Sequence, residues 1–335
     1  MKYLLLFLLT TTFLFGDKMI TIATYNVENL FDVSKSKNRY SEYKQGSKLN
    51  WNHKNYKIKL QNIARVIKGI NADIISLQEI GSLQALKDLK YVLKEFGLYY
   101  QYYKIADRKG TTVKVAILSK IPFVYNKELS INSSMRYRNI LETKFTINGK
   151  DLYIFTNHWK AKSGSESMRI TCAMELRYRI SEIGYDKNII LVGDFNSDYE
   201  EYIKFKRKRR LNDTNGKTGI NHILRTLKQT QKVKYVKYEK NNFYNLWYDA
   251  NEEDRYSYIY RGKKEALDNI LVSQSLIQNS GIYYKSSSIH SYKRDFLFKK
   301  NKIYRWQTTK SKPRRHKGKG YSDHLAVVGK FIVKS

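Results

Sequence analysis

Several apolar runs of this sequence end in, or lead into, side chains that bind metal ions or move protons. In "SDHLAV", Asp323 and His324 stand side by side directly before the apolar run that is predicted to form the last strand. Ligand sites of open α/β sheets gather at strand edges, so such side chains are candidates to converge in space. The same feature recurs at Asn26, Glu79, His158, Asp194, Asn196 and Asp268.

The residue types in these runs fit metal-assisted chemistry at a phosphate. Carboxylates such as Glu79, Asp194 and Asp323 suit Mg²⁺ or Mn²⁺ more than Zn²⁺, because hard oxygen ligands favour hard cations. Histidines beside acids suit proton transfer near neutral pH. Amide side chains orient a phosphate or a water without adding negative charge. Taken singly, a motif such as "GDFNS" is more often a turn, so the prediction depends on the whole set.

The elements that must position these residues follow from the apolar spacing. Helices are predicted over 55–68, with Gly69 at the C-cap, and over 82–96. A hairpin is predicted around "NGK" at 148–150. Ser163 and Glu166 form a capping box before a third helix. Alternating strands and helices followed by hairpins predict an α/β chain whose sheets are mixed rather than purely parallel.

Composition bounds the class of partner. The 335 residues include 63 Lys and Arg against 30 Asp and Glu, a formal net charge of +33. A field of that sign favours a polyanion, with nucleic acid first and an anionic membrane second, while a solvated surface without a specific partner stays open. The single cysteine, Cys172, excludes an internal disulfide and a cysteine-based zinc site.

The N-terminus has the pattern of a secretory signal. One lysine is followed by an apolar run in "MKYLLLFLLTTTFLFGDK", which is shorter than the roughly 20 residues that a spanning helix needs. We therefore expect a signal peptide at 1–16 and a periplasmic or extracellular product.

Residues 17–335 are expected to form a single domain with basic insertions near 199–255 and 283–320. We expect a monomer with no stable protein partner.

Six motifs, in this order and spacing, resemble the endonuclease/exonuclease/phosphatase superfamily. They are "TYNVENLF", "LQE", "TNHWKAKSG", "GDFNS", "LDNILVS" and "SDHLAV". That superfamily includes pancreatic-type deoxyribonucleases, exonuclease III-like abasic-site endonucleases and neutral sphingomyelinases, and the "NHWKAKSG" segment most resembles bacterial secreted nucleases. The resemblance implies an α/β (α+β) four-layer sandwich, with two mixed β-sheets packed face to face and helices on the outside.

The resemblance also implies a metal centre and a proton-transfer pair. Glu79 would be the principal ligand of Mg²⁺, with Mn²⁺ or Ca²⁺ as alternatives, and Asn26 and Asp323 would help to hold it. His324 would be the general base, with Asp268 hydrogen-bonded behind it to fix its tautomer.

Other residues would act on the phosphate or hold the substrate. Asp194 and Asn196 would position the attacking water or the scissile phosphate, and His158 would contact the phosphate or assist the leaving oxygen. The candidate substrate-binding residues are Arg138, Lys160, Arg169 and Tyr258.

The leading functional prediction is a secreted or periplasmic Mg²⁺-dependent nuclease with little sequence specificity, acting on DNA rather than RNA. The alternative is a sphingomyelinase-like phospholipid phosphodiesterase, or another phosphoesterase of the superfamily, in transient contact with an anionic membrane. A lipid enzyme would need an exposed apolar hairpin, whereas the insertions here are basic and tyrosine-rich. A non-enzymatic nucleic-acid-binding protein is disfavoured because all the expected acids and both histidines are present.

Overall fold

The computed structural model describes residues 16–34, 40–205, 210–226, 239 and 241–335. Nearly all of the expected signal peptide, the centre of the basic "KFKRKRR" run and the whole of "KVKYVKY" lie outside these residues. The helices are α1 His53–Ile70, α2 Leu83–Glu95, α3 Glu166–Ile183 and the one-turn α4 Glu201–Lys204. Among the described residues, none of the helices combines the length and the apolar character that crossing a membrane requires.

The strands follow one another along most of the described chain. They are β1 Lys18–Leu30, β2 Ile74–Ile80, β3 Tyr102–Ile105, β4 Lys114–Ser119, β5 Phe123–Leu129, β6 Ile140–Ile147, β7 Lys150–His158, β8 Ile189–Asp194, β9 Phe243–Asn245, β10 Tyr258–Tyr260, β11 Lys263–Glu265, β12 Asp268–Ser273, β13 Ile282–Tyr284, β14 His290–Ser291, β15 Phe298–Lys299, β16 Lys302–Ile303 and β17 Val327–Val333.

Two large sheets are formed by these strands. The first has the order β13-β17-β1-β2-β4-β3, with β14 also against β17, and the second has the order β5-β6-β7-β8-β12-β9. Each sheet holds one parallel pair, β1 with β2 and β7 with β8, among antiparallel neighbours. The prediction of mixed sheets is confirmed.

Three apolar layers hold the sandwich together, and they follow from the alternation of side chains along each strand. In β2, Ile75 faces α1 and α2 while its neighbour Ile74 faces the second sheet. In β8, Ile190 faces the first sheet while Leu191 faces α3. The order helix, sheet, sheet, helix is the predicted four-layer arrangement, and it buries both faces of each sheet.

The helix predicted over 55–68 is present with wider bounds. Asn52 caps its N-terminus by accepting from the Asn55 N–H at 3.0 Å, and Asn71, with a left-handed φ of 53°, caps its C-terminus. The C-cap prediction for Gly69 is therefore wrong. Gly69 lies within the last turn, where an added Cβ would be 1.9 Å from the Tyr292 hydroxyl, so a side chain at this position would have to displace the Tyr292 ring.

The capping box predicted for the third helix is also wrong, while the predicted hairpin is confirmed. Ser165, not Ser163, precedes α3, and the Glu166 side chain turns into the protein. Strands β6 and β7 are joined by Asn148 and Gly149, whose φ values of 49° and 70° are those of the type I′ turn that suits a two-residue hairpin.

Strand β17 begins at Val327, so Asp323 and His324 stand before the last strand, and Asp268 is the first residue of β12. One further segment differs from the prediction. The 283–320 stretch, predicted to be loop or insertion, contains the small β15–β16 hairpin and β14. Strands this short show no clear hydrophobic periodicity, so the sequence did not predict them.

Candidate active site

The sheet topology brings the predicted chemical residues to one edge. Parallel strands end at the same side, so Asn26 on β1 lies beside the end of β2, and His158 pairs in register with Asp194 at the ends of β7 and β8. Strand β12 runs the other way and starts there, with Asp268 paired to Asp194. His324 forms a backbone bridge with Tyr258 at the same edge.

A bulge at the end of β1 shapes the metal side of the site. Glu28, Asn29 and Glu79 have left-handed φ values of 51°, 60° and 66°, which are uncommon for residues with a side chain. The bend lets the Asn29 N–H donate to Glu79 Oε2 at 2.9 Å, and the Glu28 N–H donate to Asn26 Oδ1 at 3.0 Å. The backbone thus fixes the Glu79 carboxylate directly.

Close approach of β7 and β8 depends on Gly193. Its φ is 139°, and an added Cβ would lie 2.1 Å from the Asn157 carbonyl oxygen. Only a residue without a side chain fits there. Gly193 therefore allows His158 and Asp194 to come together one residue further along.

Asn26 bridges two carboxylates. Its Nδ2 donates to Asp194 Oδ2 at 3.0 Å and to Glu79 Oε1 at 3.3 Å. The amide nitrogen faces the acids while Oδ1 accepts from the backbone, so Asn26 orients the two carboxylates.

Burial and neighbouring negative charge both act on the acids of the site. Burial, together with the negative charge of Asp323, raises the pKa of Glu79. Burial and the charge of Asp268 raise the pKa of Asp194 to about 7. Buried carboxylates with raised pKa values and oxygen-only donors fit a hard divalent cation, which would offset the charge.

A second set of possible ligand atoms lies deeper. Asp194, Asp268 and His324 each offer one atom within 4.8 Å of the others. Asp268 Oδ2, however, is 2.6 Å from His324 Nδ1, which commits these two groups to each other. Glu79 and Asp323, with Asp194 adjoining, are therefore the carboxylates that could hold a cation.

Asp268 and His324 form a buried acid–imidazole pair. Burial alone lowers the pKa of His324, but the charges of Asp268, Asp194 and Asp323 outweigh burial and hold that pKa well above its ordinary value. The Nδ1–H donates to Asp268, which leaves Nε2 to exchange a proton with a ligand. Asp268 Oδ1 is buried and has no partner among the described residues.

His158 faces the acids from the other side. Its Nε2 lies 3.5 Å from Asp194 Oδ2 and 3.9 Å from Glu79 Oε1. Burial, and then the positive charge of Arg138, lower its pKa well below the ordinary value, so the ring is neutral. Within the described chain Nδ1 has no hydrogen-bond partner.

Sequence reasoning missed an ion-pair network behind Asp323, formed by Arg305 and Glu28. Arg305 donates from Nε to Glu28 Oε1 at 2.9 Å, and its Nη2 is 3.1 Å from Asp323 Oδ2. Burial, with the charge of Asp323, raises the pKa of Glu28 to about 7. Arg305 lies in a stretch without a motif, so only Glu28, inside "TYNVENLF", offered a signal.

The remaining predicted catalytic residue is held next to Asp194. Asn196, with a left-handed φ of 48°, donates its N–H to Asp194 Oδ1 at 2.8 Å. Its Nδ2 donates to the Trp159 carbonyl at 3.2 Å. The "GDFNS" loop is thus both a turn and a support for the acid.

The four predicted substrate-binding residues fall in different places. Arg138 is half-buried near the acids and donates to the Trp159 carbonyl at 3.1 Å. The Tyr258 ring lies 4.8 Å from the His324 ring. Lys160 lies over Gly164 in the loop after β7.

Arg169 has a structural role that differs from the prediction. Its side chain is completely buried, and Nε donates to Glu166 Oε2 at 2.7 Å. Its Nη1 donates to the carbonyls of Lys160 and Ala161 at 3.1 and 3.2 Å. The guanidinium holds the loop and does not face a substrate, so the predicted contact is corrected.

Comparison with known proteins agrees with this arrangement. The model of the Endonuclease/Exonuclease/phosphatase family matches residues 21–332. No protein of curated function matches the sequence.

Solved structures share the fold. An endonuclease/exonuclease/phosphatase family protein from Bacteroides thetaiotaomicron has a TM-score of 0.57 at 14% identity, over 96% of this chain and 100% of that chain. D. rerio TDP2 complexed with single strand DNA product has a TM-score of 0.57 at 14% identity, over 94% and 99%. A mannosyl-6-phosphatase from B. thetaiotaomicron has a TM-score of 0.54 at 14% identity, over 93% and 99%. Identities this low show the fold alone.

Proposed function

Because this chain belongs to the endonuclease/exonuclease/phosphatase family, whose members hydrolyse phosphoester bonds, we propose that it is an exported, Mg²⁺-dependent nuclease with little sequence specificity. The observation that carries the hydrolytic part is the Asp268–His324 pair at 2.6 Å, set against Asp194 and beside Glu79. An oriented base next to a cation site is what attack of water on a phosphodiester requires.

Each residue of the site has a part in this proposal. A bound cation would offset the charge of the acids and so favour the neutral form of His324. In that form His324 Nε2 takes a proton from the attacking water, and Asp268 holds the imidazole in the required tautomer. Asp194 and Asn196 orient the water, and neutral His158 hydrogen-bonds the phosphate. As the oxygen of the water bonds to phosphorus, the P–O bond to the leaving oxygen breaks, and that oxygen takes a proton from solvent. Glu79 and Asp323 hold the cation, which when bound supplies Lewis-acid stabilisation of the phosphate charge.

Nucleic acid is the favoured substrate because of charge. The formal net charge of +33 would concentrate a polyanion near the site. A structural neighbour, TDP2, was crystallised with single strand DNA product. That complex supports the proposal that a protein of this fold binds a nucleic-acid strand. DNA is proposed over RNA, and the protein is proposed to act as a monomer without a stable protein partner, touching anionic membranes at most transiently.

Cleavage assays test the proposal. We expect the purified protein to nick plasmid DNA with Mg²⁺, or with Mn²⁺ or Ca²⁺ in its place at other rates, and to stop on addition of EDTA. His324→Ala should lower kcat by about 10²–10⁴-fold, the usual contribution of a general base. His53→Ala, at an exposed histidine, is the matched control.

A substrate panel separates the nuclease from its alternatives. The panel contains DNA, RNA, sphingomyelin vesicles and a sugar monophosphate, the last because a mannosyl-6-phosphatase shares the fold. Hydrolysis of sphingomyelin or of the monophosphate with neither nucleic acid cut would refute the nuclease.

Export is proposed from the N-terminal sequence. We expect the full chain, expressed in a bacterium with a periplasm, to appear outside the cytoplasm with its N-terminus at Asp17. Retention in the cytoplasm with residues 1–16 intact would contradict this.

A further inference from the structure

A cleft of about 300 Å³ lies beside the acid cluster. One wall comes from the β1 bulge and the segment after it, including Asn29 and Tyr40, and the other comes from the basic loop between β16 and β17. Arg305, Thr308 and Arg314 line the second wall. Part of the basic insertion near 283–320 is thus placed next to the proposed cation site.

The cleft shares its walls with the site. The Asn29 N–H donates to Glu79 Oε2 at 2.9 Å, and Arg305 Nη2 is 3.1 Å from Asp323 Oδ2. A ligand that enters the cleft therefore lies next to the groups that support the two proposed cation ligands.

The floor of the cleft is preformed. Trp306 Nε1 donates to His316 Nδ1 at 2.8 Å, and His316 Nε2 lies 2.8 Å from the Glu42 carbonyl. The Tyr43 ring packs 4.8 Å from the His316 ring. These polar atoms already hydrogen-bond to one another. The floor can therefore contact a ligand through its shape but has no hydrogen bond to give it.

The mouth of the cleft offers positive charge. The Arg305 side chain is 53% exposed although one edge pairs with Glu28. Arg314 is exposed, and within the described residues its side chain makes no hydrogen bond or ion pair. Two carboxylates also line the cleft: Arg305 offsets the charge of Glu28, and Glu42 is exposed to solvent. Guanidinium groups match phosphate oxygens in shape and charge, so the mouth with Arg305 and Arg314 is the part of the cleft that an anionic group fits best.

We propose that this cleft binds the phosphate next to the scissile one, with Arg305 and Arg314 as its cationic contacts. The inference rests on the proposed nuclease function. A nucleic-acid strand carries one charge about every 3.4 Å along its axis, so a strand whose scissile phosphate lies at Glu79 and Asp323 brings another phosphate to the adjoining cleft. A substrate with a single phosphate has nothing to place there.

The test compares Arg314→Gln with Arg315→Gln. Both arginines are exposed and adjacent, but only Arg314 lines the cleft. Arg305 is left unchanged because it also contacts Asp323. Each variant is assayed on a single-stranded oligonucleotide and on bis(p-nitrophenyl) phosphate, a diester with one phosphate.

Arg314→Gln should raise KM for the oligonucleotide about twofold to fivefold, as loss of an exposed ion pair does, with kcat unchanged. The slope of log KM against log salt should fall by about 0.7, the value for one phosphate contact on a single strand. Neither variant should alter kinetics on the small diester, and Arg315→Gln should match wild type on both substrates.

Two results would overturn the subsite, and they are distinguishable. If the wild-type protein cuts DNA or RNA but Arg314→Gln behaves like Arg315→Gln, the subsite is wrong while the nuclease stands. If the wild-type protein cuts neither nucleic acid, the proposed function fails and the subsite fails with it.

Discussion

His324, the proposed general base, has a pKa that its neighbours control. Asp268 accepts its Nδ1–H at 2.6 Å, and Asp194 and Asp323 add negative charge around the ring. Stabilising the imidazolium makes the ring a stronger base, and the same contact fixes its orientation. The pair therefore sets both the strength and the direction of proton transfer.

Replacing Asp268 should show how far it determines the pKa of His324. In the metal-free protein, NMR titration should give His324 a pKa well above 6.5, and Asp268→Asn should lower it because the largest favourable charge is removed. His222, whose pKa is lowered by burial, serves as the control, and its pKa should be the same in both proteins. An unchanged His324 pKa in Asp268→Asn would show that the pair does not act as described.

The raised carboxyl pKa values predict how stability depends on pH. Asp194 and Glu28 have folded pKa values of about 7, above their unfolded values, so the native state binds more protons between about pH 4 and 7. Their contribution to stability is therefore lost as pH rises through this window.

Thermal unfolding checks this sign. The Tm of the metal-free protein should fall from pH 5 to pH 8, and Mg²⁺ should raise Tm more at pH 8, where the carboxylates are ionised. Glu79→Gln should weaken the effect of Mg²⁺. A metal-induced rise that is equal at both pH values would contradict the assignment.

At the scale of elements, the ends of β7 and β8 depend on a glycine. Gly193 has a φ of 139° and lies against the Asn157 carbonyl, one residue before Asp194. The same glycine thus allows β7 and β8 to pair closely and places the Asp194 carboxylate.

Gly193→Ala should lower the free energy of unfolding by about 3 kcal/mol or more, since a Cβ meets backbone and the φ is strained. Gly149→Ala is the matched control, because its φ is 70° but nothing lies within 4 Å of the added Cβ. It should cost about 1 kcal/mol. Urea unfolding measures both, and equal losses would contradict the close-approach argument.

The elements also show what the sequence could predict. Helix α1 was predictable because Leu60, Ile63 and Ile67 repeat at helical spacing. The role of Arg169 was not, since its partners Lys160 and Ala161 bind through backbone carbonyls, which have no sequence signature. Asp323 and Arg305 meet only through tertiary packing, so their contact was beyond prediction from motifs.

At the scale of the whole molecule, charge and fold act on different steps. The fold fixes the acids and the imidazole, while the excess of 63 basic over 30 acidic residues acts at a distance on whatever approaches. Salt screens the distant effect far more than the buried contacts. The two contributions can therefore be separated by ionic strength.

Raising salt from 50 to 200 mM should raise KM for DNA by at least tenfold, because several phosphate contacts exchange with counterions. KM for bis(p-nitrophenyl) phosphate should change little. Steady-state kinetics on both substrates checks this, and parallel salt dependence would show that the surface charge does not recruit the substrate.

The site is completed by contacts between segments that are far apart in the sequence. Ser322 Oγ donates to the Asn26 carbonyl at 2.6 Å across a sequence separation of 296 residues, and β17 pairs with β1 within the first sheet. Such long-range pairing is slow to form because loop closure costs entropy before contacts repay it. During refolding, recovery of catalytic activity should therefore lag behind recovery of secondary structure, and the enzyme stays inactive until its two ends have met.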